Sequence, residues 1–436
     1  MTMSAPLTER RYIPAFALVT SLFFLWAIGV NLNDILIPHL KKAFSLTDFQ
    51  SSLIQSAFFG GYFLAALPAG WLMQRIGYKK GILAGLLICA TGAFLFIPAA
   101  SVLAYGFFLF ALFVMACGQC FLEVAANPYV TILGPAESSE RRLNFAQSFN
   151  SVGAVVTPLL GATFILSGIE HTPAELSAMT PAQLLAYRSA EANMVKIPYL
   201  VIAGIFLCVA LLIYFSSLPE VREERESDPP SQARLSGVWA HGHLVRGIVA
   251  QFFYVGAQVG AASFIIRFAE REIPGTHEKA ASHYLQLHMF GFMIGRFAGS
   301  AIMKKVPAAK LLSLFAGGAL LSLLVVLFTS GRAPVWSVAL LGFFHSIMFP
   351  TVFALSLKDL GSYTKLGSSL LVMSIIGGAV VPAVMGRISD ASNIQNAFVI
   401  PLICHLYILY FALRGYQPAR AGVDQRFLDA SSNEAE

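Results

Sequence analysis

The chain has 436 residues, of which 57% are hydrophobic and only 12% charged, with 36 phenylalanines and a formal net charge of +6. Soluble domains carry about 25% charged residues, so this balance excludes an ordinary water-soluble fold and points to lipid as the solvent. The positive charge does not mark a nucleic-acid surface, because the basic residues fall mainly in loops on one side of the apolar runs.

A short arm, MTMSAPLTERRYIP, leads into the first apolar run, near 14–38. That run is longer than a signal-peptide core and carries Asn31 and Asp34, so it is expected to remain as an uncleaved anchor. Further runs follow near 48–73, 80–98, 101–126, 142–168, 197–218, 244–269, 281–303, 308–329, 333–357, 363–388 and 396–414. About 20 residues of helix cross a bilayer core, and backbone groups without water must pair within helices. Twelve transmembrane helices in an all-α membrane protein are the expectation. The loop at 169–196 reads as a short amphipathic helix on the outer face, and residues 219–243 as a flexible linker rich in mixed charge. The linker divides the chain into a six-helix half at 1–218 and another at 244–436. With both termini cytoplasmic, 18 of the 29 Lys and Arg fall in tails and loops on the cytoplasmic side and 9 on the other. Arg246 and Arg296 lie within spans.

Two acidic residues interrupt the long apolar runs: Asp34 in LFFLWAIGVNLNDILIP and Glu123 in GQCFLEVAANPYV. A carboxylate in hydrocarbon costs at least a few kcal/mol on insertion scales, so such residues usually face a polar cavity. Amides accompany both at helical spacing, Asn31 with Asp34 and Asn127 with Glu123. A titratable carboxyl beside neutral hydrogen-bonding groups suits proton-coupled handling of a polyhydroxy solute; the competing reading is a pair of structural carboxylates satisfied by neighbouring helices. Gln251, Tyr254 and Gln258 fall at i, i+3 and i+7, one polar stripe on a single helix face. Trp26, two turns before Asp34, is the ring best placed to stack on a sugar. Arg296 is expected to snorkel out or to meet helix-end carbonyls. His288, His345 and His405 sit on three helices without metal-ligand spacing, each read as an interhelical hydrogen-bonding residue, so no metal or cofactor is expected. Cys117 and Cys120, one turn apart within a span, read as small packing residues.

The halves resemble each other. Phe23-Phe24 pairs with Phe252-Phe253 and Ala69-Gly70 with Ala298-Gly299, both at one offset; Asn127-Pro128 then pairs with Phe349-Pro350, and Gly153-Ala154 with Gly378-Ala379. In the same register Asp34 corresponds to Ser263 and Asn31 to Gly260, which assigns the coupling chemistry to the N-terminal half. Parallel six-helix repeats joined by a linker resemble the major facilitator superfamily, whose substrate site lies between the halves at the membrane midplane.

The motifs NLNDILIPHLKKAF, RIGYKKGI, FLEVAANPYVTILGP, RLNFAQSFNSVGA and GSSLLVMSIIGG resemble the fucose–galactose–glucose:proton symporter branch of that superfamily, over about residues 12–414. The resemblance implies uptake of a monosaccharide, L-fucose foremost, by a monomer in a bacterial inner membrane, with H+ as coupling ion. It implies that Asp34 carries the transported proton, that Glu123 is protonatable and close to the sugar, and that Asn31, Gln147 and Asn150 line the cavity. Two departures stand out. Gln74-Arg75 replaces the superfamily's usual Asp-Arg pair, so that interhelical charge interaction is absent or rebuilt. Phe349 replaces a tyrosine of fucose-transporting relatives, as in glucose/galactose-type relatives, whereas those relatives usually carry glutamine at the position of Glu123. A glucose/galactose-type symporter, coupled to H+ or Na+, is therefore the alternative. An exporter is disfavoured by the amide-rich cavity. An intramembrane enzyme is disfavoured because no nucleophile–base pair or nucleotide-binding motif occurs.

Overall fold

The described residues of the computed structural model are 6–44, 46, 48–164, 175, 178–216, 218, 235–276 and 278–417. Among them, nine helical stretches are long and apolar enough to cross a membrane. The first is formed by α1 (Ile13–Phe44). The next helix, α2 (Asp48–Val102), is twice the length of one crossing and breaks at Gly77, where φ is 80° and ψ 174°. Side chains rarely adopt that backbone, and glycine enters it without steric cost. Met73 packs against Gly81, eight residues on, although a straight helix would separate them by about 12 Å. The chain therefore turns back at Gly77, and α2 supplies two crossings. The rest of the first half is α3 (Tyr105–Ile132), α4 (Ser139–Phe164), a short α5 (Pro181–Asn193) and α6 (Lys196–Phe215). Helix α5 realises the amphipathic segment expected in the loop. Pro181 opens it, and Thr180 and Gln183 cap each other reciprocally.

The second half contains α7 (Gly242–Glu272), α8 (Glu278–Ile302) and α9 (Ala308–Phe328). Its fourth crossing is split into α10 (Arg332–His345) and α11 (Met348–Leu357), and its fifth into α12 (Thr364–Met373) and α13 (Gly377–Ala391). The last crossing is α14 (Val399–Tyr410). Helices α4 and α8, of 26 and 25 residues, are the two that composition alone fails to mark as spans. With them, and with α2 counted twice, the twelve crossings are complete. Their shortfall in apolarity has a cause: they face each other across the halves and carry the polar groups of the site.

The pseudo-repeat is visible as matched close approaches. A side chain at Gly153 of α4 would collide with Phe24 O of α1, and one at Gly377 of α13 with Phe252 O of α7. Each contact lies one residue from the pairing read off the sequence, 252 in place of 253 and 377 in place of 378. Large apolar side chains such as Phe215, Phe328, Ile197 and Leu321 are exposed on the outside of the bundle, the surface that lipid covers.

At the end where α2 turns, the halves are joined. Ser300 Oγ donates to Arg141 O at 3.3 Å, Asn144 Nδ2 to Thr351 Oγ1 at 3.0 Å, and Ser368 Oγ to Val124 O at 2.9 Å. Lys365 lies over the Tyr78 ring, 5.4 Å from its centroid. Gln74 and Arg75 take no part in such a joint among the described residues; Arg75 instead stacks on exposed Trp71 at 3.8 Å. Near that turn the cross-half contact is instead the cation–ring approach of Lys365 to Tyr78. The same end is stiffened by Arg142, which is fully buried and caps the end of α3. Its guanidinium donates to Val130 O (2.6 Å), Leu7 O (3.0 Å), Ser138 Oγ (2.9 Å) and Thr131 O, tying the N-terminal segment to that helix end.

Candidate functional site

Gln147 lies eight residues into α4, about 12 Å along its axis from the joined end. There the polar residues of both halves converge. Glu123 of α3 is buried, with the Tyr62 hydroxyl and the Asn127 amide as its hydrogen-bonding neighbours and Arg296 as the nearest opposite charge. Asn127 Nδ2 stops short of a well-formed bond, while Asn127 Oδ1 accepts from Gln147 Nε2 at 2.9 Å. Tyr62 also contacts Trp26, which packs on Phe23 at 5.4 Å between ring centroids. Asn150 Nδ2 donates to Phe23 O at 3.3 Å, and Asn31 Nδ2 to Ala27 O at 2.7 Å. One face of the N-terminal half therefore presents a carboxyl and a row of amides.

The facing half contributes a guanidinium. Arg296 of α8 is almost fully buried and does not snorkel out. Its Nε donates to Ser346 O at 2.8 Å, the carbonyl freed where α10 ends, and Nη1 donates to Gln147 O at 2.6 Å and Gln147 Oε1 at 3.1 Å. Asn150 Oδ1 lies 3.5 Å from the same nitrogen, and the guanidinium sits over the Phe292 ring. Helix-end carbonyls are indeed among its partners, but it also reaches the side-chain amides of Gln147 and Asn150.

The stripe on α7 divides by depth. Gln251 and Tyr254 are fully buried, and both Gln251 amide atoms lack a hydrogen-bond partner; Gln258 is part-exposed. The Tyr254 ring lies edge-on to Phe349 at 6.2 Å, and Phe349 stacks on Phe353. Behind Tyr254 the three histidines, far apart in sequence, gather into a cluster. His345 Nε2 is 3.1 Å from His405 Nε2, and the His288 ring is 5.8 Å from that of His345. His405 Nδ1 bonds Pro401 O and His288 Nδ1 bonds Val338 O, so the interhelical role expected of them holds for the pair and for His288. No group of three or more metal-ligating side chains with suitable geometry occurs among the described residues. The Cys117 and Cys120 sulfurs lie against Gly61 O and Tyr62 O, packed between α3 and α2. Asp34 is carried by α1, but its side chain lies outside the described residues.

A family profile for the Major Facilitator Superfamily matches residues 19–370. The chain belongs to that superfamily. Within it, the chain is 45% identical over 409 residues to the L-fucose-proton symporter of Escherichia coli K12, covering 93% of each. It is 44% identical over 409 residues to the glucose/galactose transporter of Brucella abortus biovar 1, covering 94% of this chain and 95% of that one. A crystal structure of the superfamily transporter FucP in the outward conformation superposes with a TM-score of 0.87 at 44% identity, over 94% of this chain and 100% of that one. The chain is thus a multi-pass membrane protein with the superfamily's twelve-helix fold, and its polar site sits between the pseudo-repeats, where superfamily transporters bind substrate.

Of the residues singled out in the sequence, Glu123, Gln147 and Asn150 come together, with Trp26 linked to them through Tyr62 and Phe349 through Tyr254, whereas Asn31 bonds back to Ala27 O of its own helix. Four participants were not foreseen as such. Tyr62 reads as a packing aromatic until its hydroxyl is seen against Glu123. Asn144 and Thr351 join the halves but are short polar residues of ordinary sequence context. Arg296 carried a signal, being a basic residue well inside a span.

Proposed function

We propose that this protein is a proton-coupled symporter that imports a monosaccharide, L-fucose foremost, by alternating access, and that it is not an enzyme. The observation that carries this reading is the buried carboxyl of Glu123 standing beside paired amides at the interface of two halves whose cross-half hydrogen bonds, among the described residues, gather towards one end. Identity of 44–45% over nearly the whole chain with a fucose-proton symporter and a glucose/galactose transporter supports the substrate class. On this reading the joined end faces the cytoplasm of a bacterial inner membrane with both termini on that side, which the bias of the basic loops supports, and the chain acts as a monomer. The structure then corresponds to an outward-facing state.

In that state Asp34 and Glu123 take a proton from outside, and the amides of Asn31, Gln147 and Asn150 accept and donate to sugar hydroxyls, with Trp26 against the apolar face of the ring. Occluding an ionised carboxyl in a low-dielectric cavity is costly, and protonation removes that cost. With sugar supplying partners for the amides, the halves rock about the site and the cytoplasmic joint opens. One proton moving down 100 mV contributes about 2.3 kcal/mol to accumulation, to which a pH gradient adds.

Phe349 favours a second reading, a glucose/galactose-type specificity, because the second half offers few hydroxyl-directed groups at that face. Competition for uptake among L-fucose, D-galactose, D-glucose and N-acetylglucosamine in proteoliposomes, with and without an imposed pH gradient, decides between them. Uptake that follows Na+ and ignores the pH gradient would replace the proton in this scheme by sodium.

A further inference from the structure

The site's amides are not free in this state. Gln147 Nε2 is held by Asn127 Oδ1 and Asn150 Nδ2 by Phe23 O, while Gln147 Oε1 faces Arg296 at 3.1 Å and Asn150 Oδ1 lies 3.5 Å from it. A sugar hydroxyl that donates to those oxygens must take the place of the guanidinium. Arg296 at the same time spans the halves, with Nη1 on Gln147 O of α4 and Nε on Ser346 O at the break in the fourth crossing of the second half. Asn144–Thr351 and Ser300–Arg141 O lie closer to the joined end, while Ser368 Oγ on Val124 O crosses the halves beside Glu123.

Resting on the symport reading, we propose that Arg296 is a latch released by two ligands together: the sugar competes for the amide oxygens it occupies, and protonation of Glu123 removes the opposite charge that faces it. Among the described residues, the titratable groups that face Arg296 are Tyr254 from α7 and Glu123 from α3; α4 presents Gln147 and Asn150, and the Ser346 carbonyl lies at the end of α10. With neither ligand, the guanidinium keeps α4 and α8 together and the cytoplasmic side shut. With one ligand, the other attachment persists. With both, the crosslink parts and the joint can open. Arg296 is on this account a positioning residue that couples two binding events, and its planar fork suits a position bridging several oxygens, which a lysine cannot reproduce.

The test uses the full-length protein and its Arg296→Gln and Arg296→Lys variants, with L-fucose, D-galactose and D-glucose as probes, and purified monodispersity as the check on folding. Binding is measured at pH 6 and pH 8, and sugar exchange is compared with gradient-driven accumulation in proteoliposomes. Arg296→Gln is expected to bind sugar as tightly as the parent or a few-fold more tightly, with less dependence on pH, to exchange sugar, and to lose accumulation at least tenfold. Arg296→Lys keeps the charge and is expected to keep the pH dependence while accumulating less. A tenfold loss of binding in folded Arg296→Gln and Arg296→Lys would make Arg296 a direct sugar ligand and overturn the latch; undiminished accumulation in either would overturn it equally. If Arg296→Gln does not fold, the Lys variant decides on the same two criteria. If the parent protein binds none of the three sugars, the symport reading fails first.

Discussion

The two faces that meet at the site are built in opposite ways. The first half offers a carboxyl, Glu123, and the amides Asn127, Gln147 and Asn150 on α3 and α4. The second half offers one guanidinium, Arg296, set among Phe292, Tyr254 and Phe349, with its remaining polar groups withdrawn behind the surface as the fully buried Gln251 and the His345–His405 pair. Such asymmetry on a pseudo-symmetric scaffold separates two tasks. On the proposed reading, proton and sugar chemistry is concentrated in the first half, while the second contributes the contact that closes the cleft and the apolar wall that shapes specificity.

The largest expected departure from this division comes from Asp34→Asn. It fixes a neutral group without removing hydrogen-bonding capacity, so sugar binding and exchange should persist while accumulation driven by a pH gradient is abolished. Undiminished gradient-driven uptake by the variant would take Asp34 out of the coupling role. Next in size is Arg142→Ala. It strips several charge-assisted hydrogen bonds from carbonyls at the end of α3, and should cost on the order of 3 kcal/mol, read as a lower melting temperature in detergent and a poorer yield. A variant as stable as the parent would show that water caps α3 equally well.

Gln147→Ala and Asn150→Ala test the polar face directly. Each loses a hydrogen bond to a neutral hydroxyl worth about 0.5–1.5 kcal/mol, a few-fold to about tenfold in affinity by titration calorimetry. Normal binding by both variants would move the sugar to another helix face. Glu123→Gln should flatten the pH dependence of sugar binding between pH 5 and 8 while leaving binding itself within a few-fold; an unchanged profile would assign the titration to Asp34 alone. The smallest effect is expected from Phe349→Tyr, which adds a hydroxyl to the apolar wall and should raise L-fucose affinity relative to glucose by a few-fold. An unchanged preference would place selectivity on Gln251, Tyr254 and Gln258.

Much of this organisation is legible in the sequence because lipid imposes simple rules. Long apolar runs must be helices, and a carboxylate within one needs a reason, which leads to Glu123 at once. Helices α4 and α8 are legible as spans only with tolerance for polar residues, since each spends part of its length on the site and not on lipid. Interruptions are harder to read. The breaks at Ser346 and near Ser374 fall within apolar stretches and depend on which neighbour donates to the freed carbonyl, as Arg296 does for Ser346. The histidine cluster is invisible in sequence for the same reason. His288, His345 and His405 acquire a common neighbourhood only when α8, α10 and α14 pack, and spacing along one chain carries no trace of it.

The most direct test of the account is simultaneous measurement of sugar and proton movement. Proteoliposomes or inverted-control vesicles in a weakly buffered, sodium-free medium receive a pulse of L-fucose, D-galactose or D-glucose, and external pH is followed alongside uptake of labelled sugar. Proton-coupled symport predicts that the medium turns alkaline as the preferred sugar enters, and that Asp34→Asn exchanges sugar without this response. Sugar entry with no change in external pH, or entry that requires sodium, would contradict it.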